Sequence, residues 1–409
     1  MKTALVIGNG IVGACVALAL QRAGLRASII DPGDEKAAAS YGNAGHLAIE
    51  QVDPLASSAN VLSLHRRLFM RGGSVGFPLR DIATWLPFGW RLLRATAPER
   101  FALGQRAMAS LLAYAIPAWQ RVATQAGAAD LIRTAGHWVV WESSASAARG
   151  LAAWQAANTG AARIDAAISA DVDVLRAQFN GQPVAAARFT GTGQILDLHA
   201  LRRALQTTFI AAGGELLTAR VGNVGDGVTL EDGTIRSADV VVVAAGVGAS
   251  QLLLSTFGAI PLIAERGYHI ETTMDAHAAT PGGLPVVFED RNVILSPYAS
   301  SFRLSGFSEF SRTNSPPDPR KWAALQRHAK ALGLPMAVKP ERWVGSRPTL
   351  PDYLPAIGQH PSHRSLFYAF AHNHLGLTLA AITGELIASL VEATTPRIDL
   401  SPFALERFK

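Results

Sequence analysis

Cysteine is almost missing from this chain. Cys15 is the single one in 409 residues, so an internal disulfide is excluded and a reducing compartment fits. Its place inside an apolar helical pattern makes it a small packing residue rather than a nucleophile. No stretch of eighteen apolar residues is free of charge, so a membrane-spanning helix is not expected. There is no internal repeat and no low-complexity tract. Met1 and Lys2 lead straight into a strand pattern, so no leader peptide is expected and the cytoplasmic side is the natural location. Charge is also modest: Lys plus Arg total 37 against 31 Asp plus Glu, a net +6. That excess fits anionic ligands or a membrane surface rather than nucleic acid. Hydrophobic residues make up 49 %, which excludes a disordered chain, and the length allows two domains with sizeable cores.

What is present begins at residue 3. Residues 3–7 form an apolar run, Gly8, Gly10 and Gly13 follow at G-x-G-x-x-G spacing, residues 11–23 are helical in pattern, and residues 26–30 form a second apolar run ending at Asp31 and Pro32. Gly8 permits the tight turn, Gly10 lets the backbone approach a pyrophosphate, and Gly13 lets the helix pack on the strand. The amides at Ile11 and Val12 open a helix whose N-terminus favours phosphate, and Asp31 is placed to accept ribose hydroxyls. A bound dinucleotide is therefore expected.

Downstream, Ser40-Tyr41-Gly42-Asn43-Ala44-Gly45-His46 is a small-residue loop able to lie against a flat ring, with Ser40 and Asn43 as hydrogen-bonding groups. Residues 61–100 interleave Phe69, Phe77, Trp85, Phe88 and Trp90 with Arg66, Arg67, Arg71, Arg80, Arg91, Arg94 and Arg100. This pattern suits a membrane interface or a cap over a pocket. Residues 107–127 read as one long helix, 136–141 as a strand, and 198–212 as a helix capped by Asp197 and stopped by Gly213-Gly214. Residues 215–224 read as one strand. Residues 238–244 form a continuous apolar strand, implying burial on both faces, and end in Ala245-Gly246, where a cofactor can approach the backbone. Strand patterns from 261 to 310, Tyr268 among them, read as an antiparallel sheet. The segment ends with Gly345-Ser346-Arg347-Pro348 and with His374-Leu375-Gly376-Leu377-Thr378 opening a clean helix to residue 392. The start of that helix suits stabilisation of negative charge.

Taken together, Gly8 to Gly13, Ser40 to Gly45, Gly345 to Pro348 and His374 to Thr378 resemble the D-amino-acid oxidase and glycine oxidase family of FAD enzymes, and within it the bacterial D-amino acid dehydrogenases most. The resemblance covers essentially the whole chain. It implies an α/β protein: a Rossmann-like FAD-binding domain from residues 1–60, 190–260 and 340–409, and a second α+β substrate domain on an antiparallel sheet from 61–189 and 261–339. It implies FAD with Val221 beside the adenine and the flavin between the 40–45 loop and the Gly376 helix start, where Gly345, Leu375, Leu377 and Thr378 also contact it.

The arginine of the G-x-R-P motif is Arg347, and the family pairs it with the substrate carboxylate. A guanidinium fork matches a carboxylate in two hydrogen bonds. Tyr268 and His374 stand where relatives place further polar groups. His46 departs from the glutamine expected after Asn-Ala-Gly, and faces the substrate side or, as a less favoured reading, a covalent flavin bond. No metal is expected. The implied reaction is oxidation of a D-amino acid, with a secondary amino acid such as hydroxyproline, or glycine or sarcosine, as the alternative, and a quinone at the membrane's inner face as electron acceptor. Two other classes account for part of the chain: a nicotinamide-dependent dehydrogenase for the first strand–helix–strand unit, and a non-catalytic membrane-surface protein for residues 61–100.

Overall fold

The computed structural model describes residues 1–225, 227–273 and 280–409. The N-terminal unit folds as its pattern requires: strand Thr3–Ile7, helix Ile11–Arg22, strand Arg26–Asp31. These strands sit in a six-stranded sheet ordered 215–218, 26–31, 3–7, 240–243, 366–370, 356–359, parallel except for the last pair. Side chains alternate across it. Ala4, Val6, Val240 and Val242 pack on one face against helices Ile11–Arg22, Leu198–Ala211 and Gly376–Val391, whereas Leu5, Ile7, Val241 and Val243 meet Val224, Val228, Leu252 and Leu253 on the other. Two buried faces explain why Val240–Val243 is apolar throughout. The most apolar helix, Gly376–Val391, is a core element. Gly384 has no side chain where it crosses the first helix, and a Cβ there would lie 2.6 Å from the Cys15 carbonyl oxygen.

The second sheet runs 341–349, 263–273, 301–311, 293–297, 286–288, 137–141, 185–190, 163–166, with 75–76 beside 301–311. It is antiparallel except where 286–288 pairs with 137–141 and 75–76 pairs with 301–311. The G-x-R-P strand is thus its edge, next to Ile263–Thr273. A small sheet of His46–Leu47, Gly193–Ile195 and Ile132–Arg133 pins the 40–47 loop.

Two expected elements divide. Residues 107–127 are split between helices Pro98–Leu112 and Ala115–Gln125. Pro117 is the reason: it has no amide hydrogen to donate, and its ring clashes with a continuing helical carbonyl at Ala113, so it is accepted only in the first turn of a new helix. Residues 215–224 divide into Glu215–Thr218 in the parallel sheet and Val221–Val224 in an antiparallel three-stranded sheet. Asp197 caps its helix as expected, accepting from Ala200 N at 2.8 Å.

Candidate active site

A cavity of about 760 Å³ runs from the carboxyl ends of the parallel strands to the face of the second sheet. At its nucleotide end, Gly8 adopts φ +106°, and a Cβ there would sit 2.6 Å from the Ala244 carbonyl oxygen, so only glycine allows the two strands to converge. Gly10 is different. A Cβ there would meet only Ser40 Oγ at 3.9 Å, so its backbone is open to the cavity. Helix Ile11–Arg22 starts without a side-chain cap on Gly10, while Ile11 N donates to Ser40 Oγ at 3.3 Å. Asp31 accepts from Asn9 N and Gly33 N, both at 2.8 Å, which fixes its carboxylate on the rim with Pro32 and Val221. Ala245 and Gly246 complete this end.

In the middle, Asn43 O accepts from the Tyr298 hydroxyl at 2.8 Å and from Arg303 Nη1. Asn43, Ala44 and His46 face Gly376 and Leu377, at the uncapped start of the last long helix. Gly345 also lines the wall; the ring of Trp343 lies across both Gly345 and Gly42, and its Nε1 donates to Lys36 O at 3.0 Å. Four residues assigned to the cofactor stand behind the wall instead. Gly13 packs on the Gly8 carbonyl, Gly45 on Tyr298 and the Ile195 carbonyl, Leu375 belongs to the core, and Thr378 Oγ1 accepts from Ala48 N at 3.0 Å. Each shapes the cavity by positioning its neighbours.

At the substrate end the Arg347 guanidinium lies over Gly267, where a Cβ would come within 2.4 Å of Nη2. Arg347 Nη1 lies 3.5 Å from both Glu265 Oε1, its ion-pair partner, and Ser308 Oγ. Glu265 is held by Ser308 Oγ at 2.7 Å and by Thr349 Oγ1 and the Tyr353 hydroxyl, each at 3.2 Å. His374 borders the same space. Burial holds it down at about 4; Glu265 and Glu50 oppose that, and Arg347 reinforces it.

Tyr268 lines the same cavity as Arg347, but its hydroxyl is turned away from the guanidinium. Glu265 and Gly267 share a sheet face with Arg347, and Tyr268, one residue out of phase, faces the other side. There its hydroxyl donates to Glu309 Oε1 and accepts from Asp318 N, both at 3.1 Å, beside Lys321 and Arg266.

His46 does enter the cavity, with company that the sequence reading did not name. Its Nε2 lies 3.1 Å from Glu50 Oε1, and its ring stands 4.5 Å, edge-on, from that of His137. The ligating atoms of His46, Glu50 and His137 all lie within 4.8 Å of one another. Burial and the charge of His46 hold His137 at about 3, with Glu50 opposing. Glu50, His137, Gly267 and Glu265 are the residues sequence reasoning missed. Only strand register reveals the last two, and no sequence spacing links His46 to His137.

The chain matches the family described as DAO: FAD dependent oxidoreductase, over residues 3–390. It is 29 % identical over 423 residues to a D-amino-acid oxidase of Bradyrhizobium diazoefficiens, covering 98 % of each chain. It is 28 % identical over 436 residues to D-amino acid dehydrogenase 2 of Ralstonia nicotianae, covering 98 % of this chain and 99 % of the relative. Among solved structures it is similar to iminodiacetate oxidase from Chelativorans sp., with a TM-score of 0.73 at 19 % identity and 98 % of each chain covered. Glycine oxidase from Geobacillus kaustophilus gives 0.72 at 20 %, with 99 % of each chain covered. The nicotinamide and non-catalytic readings are overturned by the family match. With residues 3–390 matched and both curated relatives aligned over 98 % of this chain, the protein belongs to the DAO family of FAD-dependent oxidoreductases and is a flavoenzyme acting on amino acids.

Proposed function

We propose that the protein oxidises a D-amino acid to an imino acid, which water converts to a 2-oxo acid and ammonia, and passes the electrons to a quinone. The observation that carries the amino acid end of this reading is Arg347, whose guanidinium lies over Gly267 in the cavity wall with a long 3.5 Å ion pair to Glu265 through Nη1. A charge-assisted pair with the substrate carboxylate fixes one end of the molecule, and Glu265, itself held by three hydroxyls, sets the guanidinium plane. The D configuration rests on the names of the two relatives. FAD fits the remaining space: Asp31 and Val221 would hold the adenosine, Gly10, Ile11 and Ser40 the pyrophosphate, and the 43–46 segment with Gly376 the ring. Bound there, it supplies the acceptor for the hydride leaving Cα. No transition-metal or nucleic-acid partner enters this reading.

The quinone end rests on helix Ile82–Ala95. It carries two apolar stripes. Trp85, Phe88, Leu92 and Ala95 pack inward, while Ile82, Leu86, Trp90 and Leu93 point outward. Leu62, Met70, Leu79, Leu86 and Trp90 are between 56 and 81 % exposed, and Arg66, Arg71, Arg80, Arg91 and Arg94 around them are exposed too. An apolar stripe with a basic border suits an anionic bilayer, where a quinone is dissolved, and supports a location on the inner face of the cell membrane. Sedimentation with anionic vesicles tests this: binding lost in Leu86→Ser/Trp90→Ser supports it, and equal recovery in the supernatant with and without vesicles removes it. Product analysis with paired enantiomers tests the reaction. A 2-oxo acid formed from the D form with a soluble quinone analogue is expected; turnover confined to L forms, or to glycine, sarcosine or hydroxyproline, would overturn the substrate assignment.

A further inference from the structure

A second cavity, of about 450 Å³, opens where the end of helix Ile82–Ala95 meets the start of helix Pro98–Leu112 and residues 401–409. It shares no lining residue with the first. Arg91, Arg94, Arg100, Arg407 and Lys409 line it, against a single acid, Asp352. That acid is already neutralised: Arg407 Nε donates to its Oδ2 at 2.7 Å and Leu354 N to its Oδ1 at 3.1 Å. Arg407 is fully engaged in turn, since its other nitrogens donate to the carbonyls of Ala404, Leu354 and Pro355. Lys409 Nζ turns to the ring of Phe257, 5.5 Å from its centroid.

That leaves Arg91, Arg94 and Arg100. None of the three has a hydrogen-bond or ion-pair partner among the described residues. Glu99, beside Arg100 in sequence, is exposed and does not line the cavity. Unpaired guanidinium groups gathered at one cavity repel one another, and an anion that bridges them turns repulsion into attraction. Phosphate matches this set, because its oxygens take two hydrogen bonds from each planar fork.

The surroundings narrow the ligand further. With about 3.6 residues per turn, Arg94 stands one turn beyond Trp90 and Arg91 one turn before Ala95. The two arginines therefore occupy the flank of the helix between its outward apolar stripe and its buried side. Trp90, Leu93 and Leu103 are 65, 46 and 47 % exposed, and Leu103 itself lines the cavity. Free phosphate would use only the guanidinium groups. A molecule with a phosphate head and acyl chains uses both the basic cavity and the apolar surface that borders it.

We infer that this cavity is a binding site for the phosphate of an anionic phospholipid, held by Arg91, Arg94 and Arg100, with the acyl chains along Trp90, Leu93 and Leu103. The site rests on the membrane-surface reading above for the bilayer that supplies such a lipid. It adds to that reading a defined head-group pocket, where area and diffuse charge alone would select no particular lipid.

The test uses holoenzyme and titration calorimetry with dihexanoyl phosphatidylglycerol below its micelle-forming concentration, so that no bilayer is present. Saturable binding is expected, weakened roughly tenfold in Arg91→Gln/Arg94→Gln and little changed in Arg66→Gln/Arg71→Gln. The second pair removes the same charge from the same basic border but lies outside the cavity. Flavin absorbance and thermal midpoint establish that each variant is folded, and Arg100→Gln, on the neighbouring helix, serves if the first pair is not. No binding, or equal weakening in the two pairs, overturns the site. Equal binding of dihexanoyl phosphatidylcholine overturns the requirement for an anionic head. Inorganic phosphate bound as tightly as the lipid overturns the lipid assignment, because the apolar border would then contribute nothing. Vesicle sedimentation separates the two readings. Short-chain lipid bound by a protein that ignores vesicles supports the pocket while the membrane reading fails; vesicles bound without any short-chain lipid binding overturn the pocket while the membrane reading stands.

Discussion

Arg347 is oriented by what surrounds it rather than by its own strand. Its guanidinium has room because residue 267 is glycine and has direction because Glu265 is triply bonded. Arg347→Ala is expected to retain FAD and to lower kcat/KM at least tenfold, about 1.4 kcal/mol, a low figure for a lost charge-assisted pair. Unchanged kinetics would remove it from the site. Gly267→Ala gives a finer check. The new methyl would stand 2.4 Å from Nη2, the mobile end of a long side chain, so the fold tolerates it while the fork is displaced. KM should rise by roughly tenfold with little change in thermal midpoint; an unchanged KM would show that the fork does not need that position. Arg347 was legible as a motif. Tyr268 was not, because its face depends on whether it stands in or out of phase with residue 347 across two strands, and only the register gives that.

Among elements, the strand–turn–helix at the N-terminus separates two kinds of glycine. Gly13 cannot carry a Cβ, which would fall 1.9 Å from the Gly8 carbonyl oxygen, whereas at Gly10 the protein itself leaves space. Gly10→Val should therefore fold and yet purify without flavin, because only the pyrophosphate needs that space. Circular dichroism together with flavin absorbance checks this, and a normal flavin content would contradict it. This unit was legible because each part is local: an apolar run, three glycines, an amphipathic pattern and an acid in sequence order. The helix at residues 107–127 was misjudged by overlooking Pro117, a local signal. The 215–224 strand was misjudged for a different reason: its two halves pair with strands far apart in sequence, Arg26–Asp31 and Val228–Leu230.

Across the whole molecule, three buried histidines tie stability to pH. Burial holds His137 and His372 at about 3 and His374 at about 4, while an unfolded chain titrates its histidines near 6.5. The unfolded state binds protons first, so stability is complete above about 6.5 and declines as pH falls, by about 1.4 kcal/mol per pH unit for each group. Thermal midpoints should drop steadily from pH 7 to pH 5; a flat profile would show that these rings open to solvent before unfolding. The cavity that these histidines border forms where two sheets meet, from segments as distant as residues 46, 137, 267, 347 and 374. For that reason the His46–Glu50–His137 group could not be read from spacing, although each of the two large sheets could be anticipated in outline.

The measurement that tests the account most directly is the visible spectrum of the purified protein under anaerobic conditions, before and after adding D- and L-amino acids one at a time. We expect a flavin spectrum, bleached by a D-amino acid and left unchanged by its L enantiomer. A flavin spectrum that no amino acid bleaches would contradict the assignment of this cavity to an amino acid.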